Sequence, residues 1–479
     1  MCNFALEKKT QTVKTDRLKI IYTILANAAR IIVGATFVFS GFVKAVDPMG
    51  TVYKLQDYAE ALGFGVQQHE WLLTMAAIAL SLLEFMLGIM VLFAMQRKLT
   101  TRLTLAFMLV MTCLTVWIYA ANPVSDCGCF GDAIRLTNGQ TLLKNIVLTA
   151  LAAMTAAWWE RMPRLISHGN RWIVWHYSAV FLIAVSAWSL YHLPLFDFRP
   201  YHIGANLPQG MEIPEGAEQP EFKTTFIMEK GGEKREFTPE NYPDSTWTFV
   251  DSKNELIKAG YEPPIHDFSI QRMSDGEDLT DSILTAPDYV FLLVSPHLEQ
   301  ADDTNFGHFN EVFDYAEQNG YGFFCLTAST DKATARWADM TGAEYQFCNT
   351  DETTLKTIIR SNPGLLLLHR GTVVAKWSHR DIPVEQITQG GRITEKSAFL
   401  PQEDMASTKV ARILVWYVLP LILLVFADRM WMWSQWFRNK EEKQKNILLK
   451  HLKEKNNGKE NCCRQLENEQ EPAGGRGSR

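Results

Sequence analysis

Two cysteines one residue apart, Cys127 and Cys129, lie in the turn-rich stretch Asn122 to Asp132, which reads NPVSDCGCFGD. Thiolates are nucleophiles and soft metal ligands. A pair this close can shut a small ring, and strained disulfides are the more oxidising ones. Gly128 between them relieves part of the backbone cost. Three readings stand: a pair that cycles between dithiol and disulfide, a structural disulfide, or a tight turn holding two buried thiols. A metal site is disfavoured, since no His or further Cys stands near. Asp126 and Asp132 oppose ionisation of the thiols, whereas Arg135 and the start of the following helix favour it.

Arg30 and Glu84 sit inside apolar runs, where a charge is costly and usually paired or functional. Arg30 lies about ten residues from the inner end of its run and Glu84 about eleven, so at about 1.5 Å per residue their depths match. They are expected to pair across neighbouring helices, as a structural pair or as a proton or quinone site, the alternative being two unrelated snorkelling side chains. His297, His308, His369 and His379 are scattered without metal spacing and read as surface or hairpin residues. Walker loop, Rossmann glycine set and hydrolase elbow are all lacking.

The elements that must position these residues are mostly membrane helices. The net charge of −6 leaves no nucleic-acid footprint, and eight cysteines in 479 residues are too few for a disulfide scaffold. Apolar runs at Ile20–Val46, Trp71–Met95, Leu103–Ala121, Thr141–Trp159, Trp172–Leu195 and Val410–Phe426 are long enough to span a bilayer. An interfacial helix is expected over 51–62, ended by Gly63 and Gly65. The chain divides into a tail (1–19), a four-helix unit (20–160), a fifth span (172–195), a Pro/Gly-rich and hairpin segment (197–264), an α/β domain (265–390), a sixth span (410–427) and a charged tail (433–479). Basic residues number eleven in one set of short connections and three in the other. By the positive-inside rule both termini are cytoplasmic in a multi-pass inner-membrane protein. The Cys127 loop and residues 197–405 then face the periplasm, where disulfides persist. The oligomeric state is not set by the sequence.

The outer region opens with an expected hairpin, Phe222–Met228 and Lys234–Phe237, turning at Gly231-Gly232. Strand Asp267–Ile270, strand Tyr289–Ser295, helix 305–319, strand Tyr321–Thr327, helix Thr330–Met340, strand Tyr345–Phe347 and helix Thr353–Arg360 follow. Strands Leu365–His369 and Thr372–Trp377 close it as an antiparallel pair. This order is similar to the thioredoxin-like fold of the TlpA and peroxiredoxin kind, a resemblance that implies a cis bond before Pro363. An active relative would carry Cys-x-x-Cys near Ser295 to Asp302, which here reads SPHLEQAD. The domain is therefore not expected to exchange disulfides. Cys325 and Cys348 read as buried inert thiols, with a mutual structural disulfide as the alternative.

Arg30-x-x-x-Gly34-x-x-Phe37-x-x-Ser40-Gly41-x-x-Lys44, Glu84-x-x-x-Gly88 and Cys127-Gly-Cys-Phe-Gly131 together resemble the MauE branch of the DoxX-like membrane proteins, over about residues 25–160. The resemblance implies a membrane thiol–disulfide role, with Cys127 and Cys129 as the redox pair, a quinone as acceptor, and a periplasmic client protein held by the outer domain. The alternative it implies is a non-enzymatic envelope maturation factor, of the methylamine-utilisation kind, with a structural disulfide. The fifth span, outer domain, sixth span and tail depart from a minimal member.

Overall fold

In a computed structural model, residues 2–63, 70–124, 127–214, 216–217, 221–230, 233–237, 248–258, 260–261, 263–266, 268–400 and 406–469 are described. Gly65, Asp126, Asp267, the Gly231-Gly232 turn and the tail Pro472–Arg479 lie outside them. Six helices are long and apolar enough to cross a membrane. The chain is a polytopic helical membrane protein carrying a thioredoxin-like α/β domain.

The membrane part contains α1 (Cys2–Val46), α2 (Pro48–Ala61), α3 (Glu70–Leu92), α4 (Arg97–Ala121), α5 (Asn138–Ala157) and α6 (Arg171–Tyr191). The expected polar tail is thus the first part of α1. Asp47 separates α1 from α2 and caps α2 through the Gly50 N–H, 3.0 Å away. Lipid gives helices no hydrophobic reason to associate, so small residues that allow close approach decide the contact. At Gly41 a Cβ would fall 2.5 Å from the Phe85 nitrogen, and at Gly88 it would fall 2.6 Å from that of Val38. These contacts fix the register of α1 against α3. Between α4 and α5, Thr112 and Thr149 share a 2.8 Å hydrogen bond, and Asn145 donates to Thr115 at 3.3 Å.

The sixth spanning helix runs through α13 (Ala406–Ile413), a wider π-helical turn (Leu414–Val418) and α14 (Leu419–Glu469). Pro420 has no N–H to offer the carbonyl four residues earlier, that of Trp416. The Tyr177 hydroxyl on α6 donates to that carbonyl instead. Next to it, Tyr417 stacks on Phe181 with centroids 4.0 Å apart and donates to Ser178 at 2.9 Å.

Outside the bundle come α7 (Leu207–Met211) and an antiparallel sheet of β1 (Glu221–Lys230), β2 (Glu233–Phe237) and β3 (Thr248–Lys258), in the order β2-β1-β3. The main domain holds β4 (Gln271–Arg272), α8 (Thr280–Leu284), β5 (Tyr289–Ser295), α9 (Phe306–Asn319), β6 (Gly322–Thr327), α10 (Asp331–Thr341), β7 (Gln346–Asn349), α11 (Glu352–Ile358), β8 (Gly364–His369), β9 (Thr372–Ser378) and α12 (Val384–Gln389). Its sheet has the order β4-β7-β6-β5-β8-β9. β5, β6 and β7 run parallel; β8, entered through a cis Asn362–Pro363 bond, runs back against β5, and β9 returns beside it as a hairpin. Residues 268–270 make no strand; the ladder begins at Gln271.

Alternate residues of each strand face opposite cores. Phe291, Leu293 and Cys325 pack under α9 and α10, whereas Val290, Leu292, Leu326 and Cys348 pack under α8 and α11. Cys325 is level with Phe347 on the neighbouring strand, so Cys348 points to the other face. A mutual disulfide is therefore ruled out by register. Both are free, buried thiols, and burial pushes Cys348 up to about 11 and Cys325 higher still.

Candidate functional site

The loop between α4 and α5 is drawn tight at its ends. Asn122 stands in the left-handed region with φ 45°, and Asn138 donates to its side chain at 2.8 Å and to the Val124 carbonyl at 3.0 Å. Thr137 and Gln140 form a reciprocal capping box that starts α5. Between these ends Gly128 and Gly131 take φ of +63° and +52°, which side chains rarely adopt.

Two helices hold the thiol pair by its backbone, and a third braces one of them. From α2, the Tyr58 hydroxyl donates to the Cys127 carbonyl at 2.8 Å. From α1, Lys44 Nζ donates to the Cys129 carbonyl at 3.0 Å, and Ser40 Oγ lies 2.7 Å from the same oxygen. From α3, Glu84 Oε2 meets Lys44 Nζ at 2.6 Å and Ser40 Oγ at 2.7 Å. Lys44 and Glu84 are 6% and 4% exposed, so they form a desolvated ion pair directly beneath the loop.

Glu84 thus pairs with Lys44, not with Arg30 as the depths suggested. Gly41 packs on Ser81 and Phe85, and Gly34 packs on Gly88 and Leu92. In that register Arg30 lies beyond the end of α3. Its guanidinium donates to the Pro163 carbonyl at 3.3 Å, and its Nε has no partner. Lys44, one of the three basic residues counted toward the outer connections, lies in the last turn of α1. Its spacing of four from Ser40 puts both on one helical face, a signal that the motif itself carries.

Cys127 Sγ and Cys129 Sγ are 3.0 Å apart and both are free. The hydrogen bond from Cys127 pushes the Cys129 thiol down to about 6; burial opposes this, and Lys144 and Lys44 reinforce it. The same bond, then burial, pushes Cys127 up. One thiolate is therefore stabilised across the pair and a second is strongly resisted. The cations beside Cys129 are these two lysines; Arg135 is turned to Asp132, 3.4 Å away. Lys144 stands 4.1 Å from the centre of the Phe130 ring.

Cavities lie on both sides of the loop. Inside the bundle a cavity of about 170 Å³ is bounded by Cys127, Cys129, Lys44, Glu84 and Lys144 and by apolar walls that include Phe37, Phe107, Met108 and Leu148. Outside, a cleft of about 350 Å³ runs between the membrane unit and the outer domain, from Tyr53, Asp57 and Gly128 to Phe198, Thr353 and Lys356. Thr51, Lys54 and Gly128 border both.

Arg360, at the end of the loop before Pro363, closes one wall of the cleft. Its Nε and Nη2 reach the Asp47 carboxylate at 3.0 and 2.8 Å, and Nη2 is 3.6 Å from Asp132 on the cysteine loop. Burial alone would raise the Asp47 carboxyl, but Arg360 and then Arg199 hold it below the usual carboxylate range.

The thioredoxin-like edge of the outer domain is tied up by its own side chains. The Asn362 carbonyl accepts from the Asp302 N–H at 3.0 Å, and its amide donates to the His297 carbonyl at 2.9 Å. His379 is buried and not a surface residue: Nε2 lies 3.0 Å from Asp302 and Nδ1 lies 3.0 Å from Ser361 Oγ. Among the described residues no group of three or more His, Cys, Asp or Glu could hold a metal ion.

Residues 22–158 match the family model of the methylamine utilisation protein MauE, which covers the four-helix unit and the cysteine loop. Residues 222–259 match a domain of unknown function, DUF8463. Among solved structures the chain is similar to one titled as a protein disulfide isomerase from Bacteroides thetaiotaomicron, at 16% identity and TM-score 0.21, covering 26% of this chain and 82% of that one. No curated protein matches the chain.

Proposed function

We propose that the chain is the membrane component of a thiol–disulfide oxidoreductase, with Cys127 and Cys129 as its redox pair. The observation that carries this reading is the position of the two sulfurs. They lie 3.0 Å apart on the wall of an apolar cavity inside the bundle, with Lys44 and Lys144 beside them.

In the oxidised pair, a client thiolate would attack Cys127 Sγ. The Cys127–Cys129 bond breaks, and Cys129 leaves as the thiolate that the lysines stabilise. A second client thiolate then attacks the client sulfur, releasing Cys127 and leaving the client with a disulfide. The client has lost two electrons and the pair has gained them.

The cavity fits an uncharged aromatic acceptor of the quinone class. Phe37, Phe107, Met108 and Leu148 would flank the ring, and Lys44 and Lys144 would face its polar edge. A quinone bound there would supply a sink for two electrons and two protons. The chain's own part is to hold one thiolate ready, exclude water with the apolar wall, and keep the Cys129 carbonyl pinned to Ser40 and Lys44. By the basic-residue count, the loop and the outer domain belong to the periplasmic side of the inner membrane. If a unique Cys462 were labelled by a membrane-impermeant maleimide in intact cells, that orientation would be wrong.

Trapping the thiols in cells with an alkylating mass tag tests the redox reading. A mixed population that shifts toward dithiol when quinone is depleted is the expected result. A pair fully oxidised under every condition, with Cys127→Ser harming only stability, would instead mark a maturation factor with a structural disulfide.

A further inference from the structure

We propose that the cleft between the membrane unit and the outer domain is the docking site for the client, taken as an extended, unfolded polypeptide segment with its cysteine over Gly128. This rests on the redox reading above and names the substrate side of the same site.

The cleft and the apolar cavity adjoin at Thr51, Lys54 and Gly128; because residue 128 has no side chain the Lys54 stem packs against it, its Cγ 3.1 Å from where a Cβ would stand. The cleft is bordered by the Gly128 backbone, and the cavity by both sulfurs. Neither sulfur borders the cleft, so a peptide thiol there reaches Cys127 past the Gly128 backbone, while an acceptor in the cavity leaves the cleft free.

The lining suits a main chain more than a compact charged ligand. Both charge signs line it, Lys54 and Lys356 on one hand and Asp57 and Asp351 on the other, with aromatic surface from Tyr53 and Phe198. Groups of both signs favour the peptide backbone and mixed side chains over a strongly anionic or cationic partner. The opening lies between two packed units and not on one exposed face, so a folded protein surface would not enter it.

The outer domain offers no substitute at its thioredoxin-like edge. There Asp302 occupies the Asn362 carbonyl, and Ser295 and His297 occupy the Asn362 side chain. Its contribution is instead to supply one wall, with Arg360 clasping Asp47 to keep α11 facing α2.

The test uses the full-length Cys129→Ser protein with Cys2, Cys113, Cys462 and Cys463 also replaced by Ser, in lipid nanodiscs. Its probe is an unfolded peptide whose single cysteine is activated as a mixed aromatic disulfide and which carries a benzophenone two residues away. The activated disulfide forces a bond to Cys127 whether or not the natural pair ever cycles, so the cross-link map reads the cleft by itself. Cross-links to Gln56, Thr353 or Thr357 are expected. Cross-links confined to lipid-facing residues or to the far side of the outer domain overturn the site.

A steric variant gives a second readout. Thr353 is exposed at the start of α11, so Thr353→Trp should fold. It should slow bond formation with the peptide about tenfold, the loss that a clash of about 1.4 kcal/mol gives, and leave a small activated disulfide unaffected. Equal rates for the peptide on both proteins would also overturn the proposal. Failure of the acceptor reading would show separately, as a pair whose state ignores quinone.

Discussion

The Lys44 ammonium and the Glu84 carboxylate meet at 2.6 Å below the cysteine loop, with Ser40 and the Cys129 carbonyl completing their bonds. Removing one member of a buried pair strands the other charge, at a cost of about 3–5 kcal/mol. We predict that Lys44→Met and Glu84→Gln each lower the thermal aggregation midpoint in detergent, and that the double variant recovers most of the loss. If the double variant is as unstable as the sum of the singles, the two residues do not act as a pair.

The thiol pair should show its shared proton in kinetics. With Cys129 held down to about 6 by the bond from Cys127, its alkylation rate should rise as pH increases through that value. Cys127→Ala removes the donor, so the profile should move up toward the free thiol value of about 8.5. Iodoacetamide rates across pH 5–9 (roughly the span of those values) decide it. A midpoint that ignores the substitution would discard the thiol–thiolate bond.

Arg360→Gln should loosen the outer domain from the bundle. The readout is faster hydrogen exchange in residues 47–53, with the sheet of the outer domain unchanged. Arg360→Lys should restore only part, since an ammonium cannot make the two-nitrogen contact. Because Asp47 is held below its ordinary value of 3.8, the stability it contributes is complete above that value and is lost as pH falls through the lower folded value. Acid should therefore undock the domain, and neutral-pH exchange rates unaltered by Arg360→Gln would contradict the clasp.

The outer domain should be inert toward disulfides. Cys325 and Cys348 are buried on opposite faces of the sheet, and burial disfavours their thiolates. We expect background rates in insulin reduction by the full-length Cys127→Ser/Cys129→Ser protein, and no labelling of either cysteine without denaturant. Clear reductase activity in that variant would refute this.

Tyr177→Phe should leave the Trp416 carbonyl without a donor inside the bundle, costing about 1–3 kcal/mol. In a Pro420→Ala background the helix can supply its own N–H, so the same substitution should cost little. Equal losses in both backgrounds would mean that Tyr177 acts through packing alone.

The spans are legible in the sequence because length and apolarity suffice to define them. The outer domain is legible because its strands are short apolar runs punctuated by Gly and Pro, as Leu365–His369 is by Pro363 and Arg370-Gly371. The cysteine pair is visible as composition. Its surroundings are not, because they depend on helix register. Arg30 and Glu84 match in depth only if the span ends are level, and the glycine contacts of Gly34, Gly41 and Gly88 shift them. Tyr58 and Lys144 come from elements whose approach to the loop no local pattern encodes. Cys325 and Cys348 were separable in principle, because paired strands with matched register put odd and even positions on opposite faces.

The sixth helix grips α6 through Tyr417, Phe181 and Ser178, so everything between Tyr191 and Ala406 emerges from one helical hairpin. To the bilayer part the outer domain is a cassette spliced into a loop, and its removal need not unpick the helices. Replacing residues 197–405 by a short Gly/Ser linker should yield a compact six-helix protein that still inserts. If that protein is made but degraded, the grip of Tyr417 is too weak to hold the hairpin closed without its cargo.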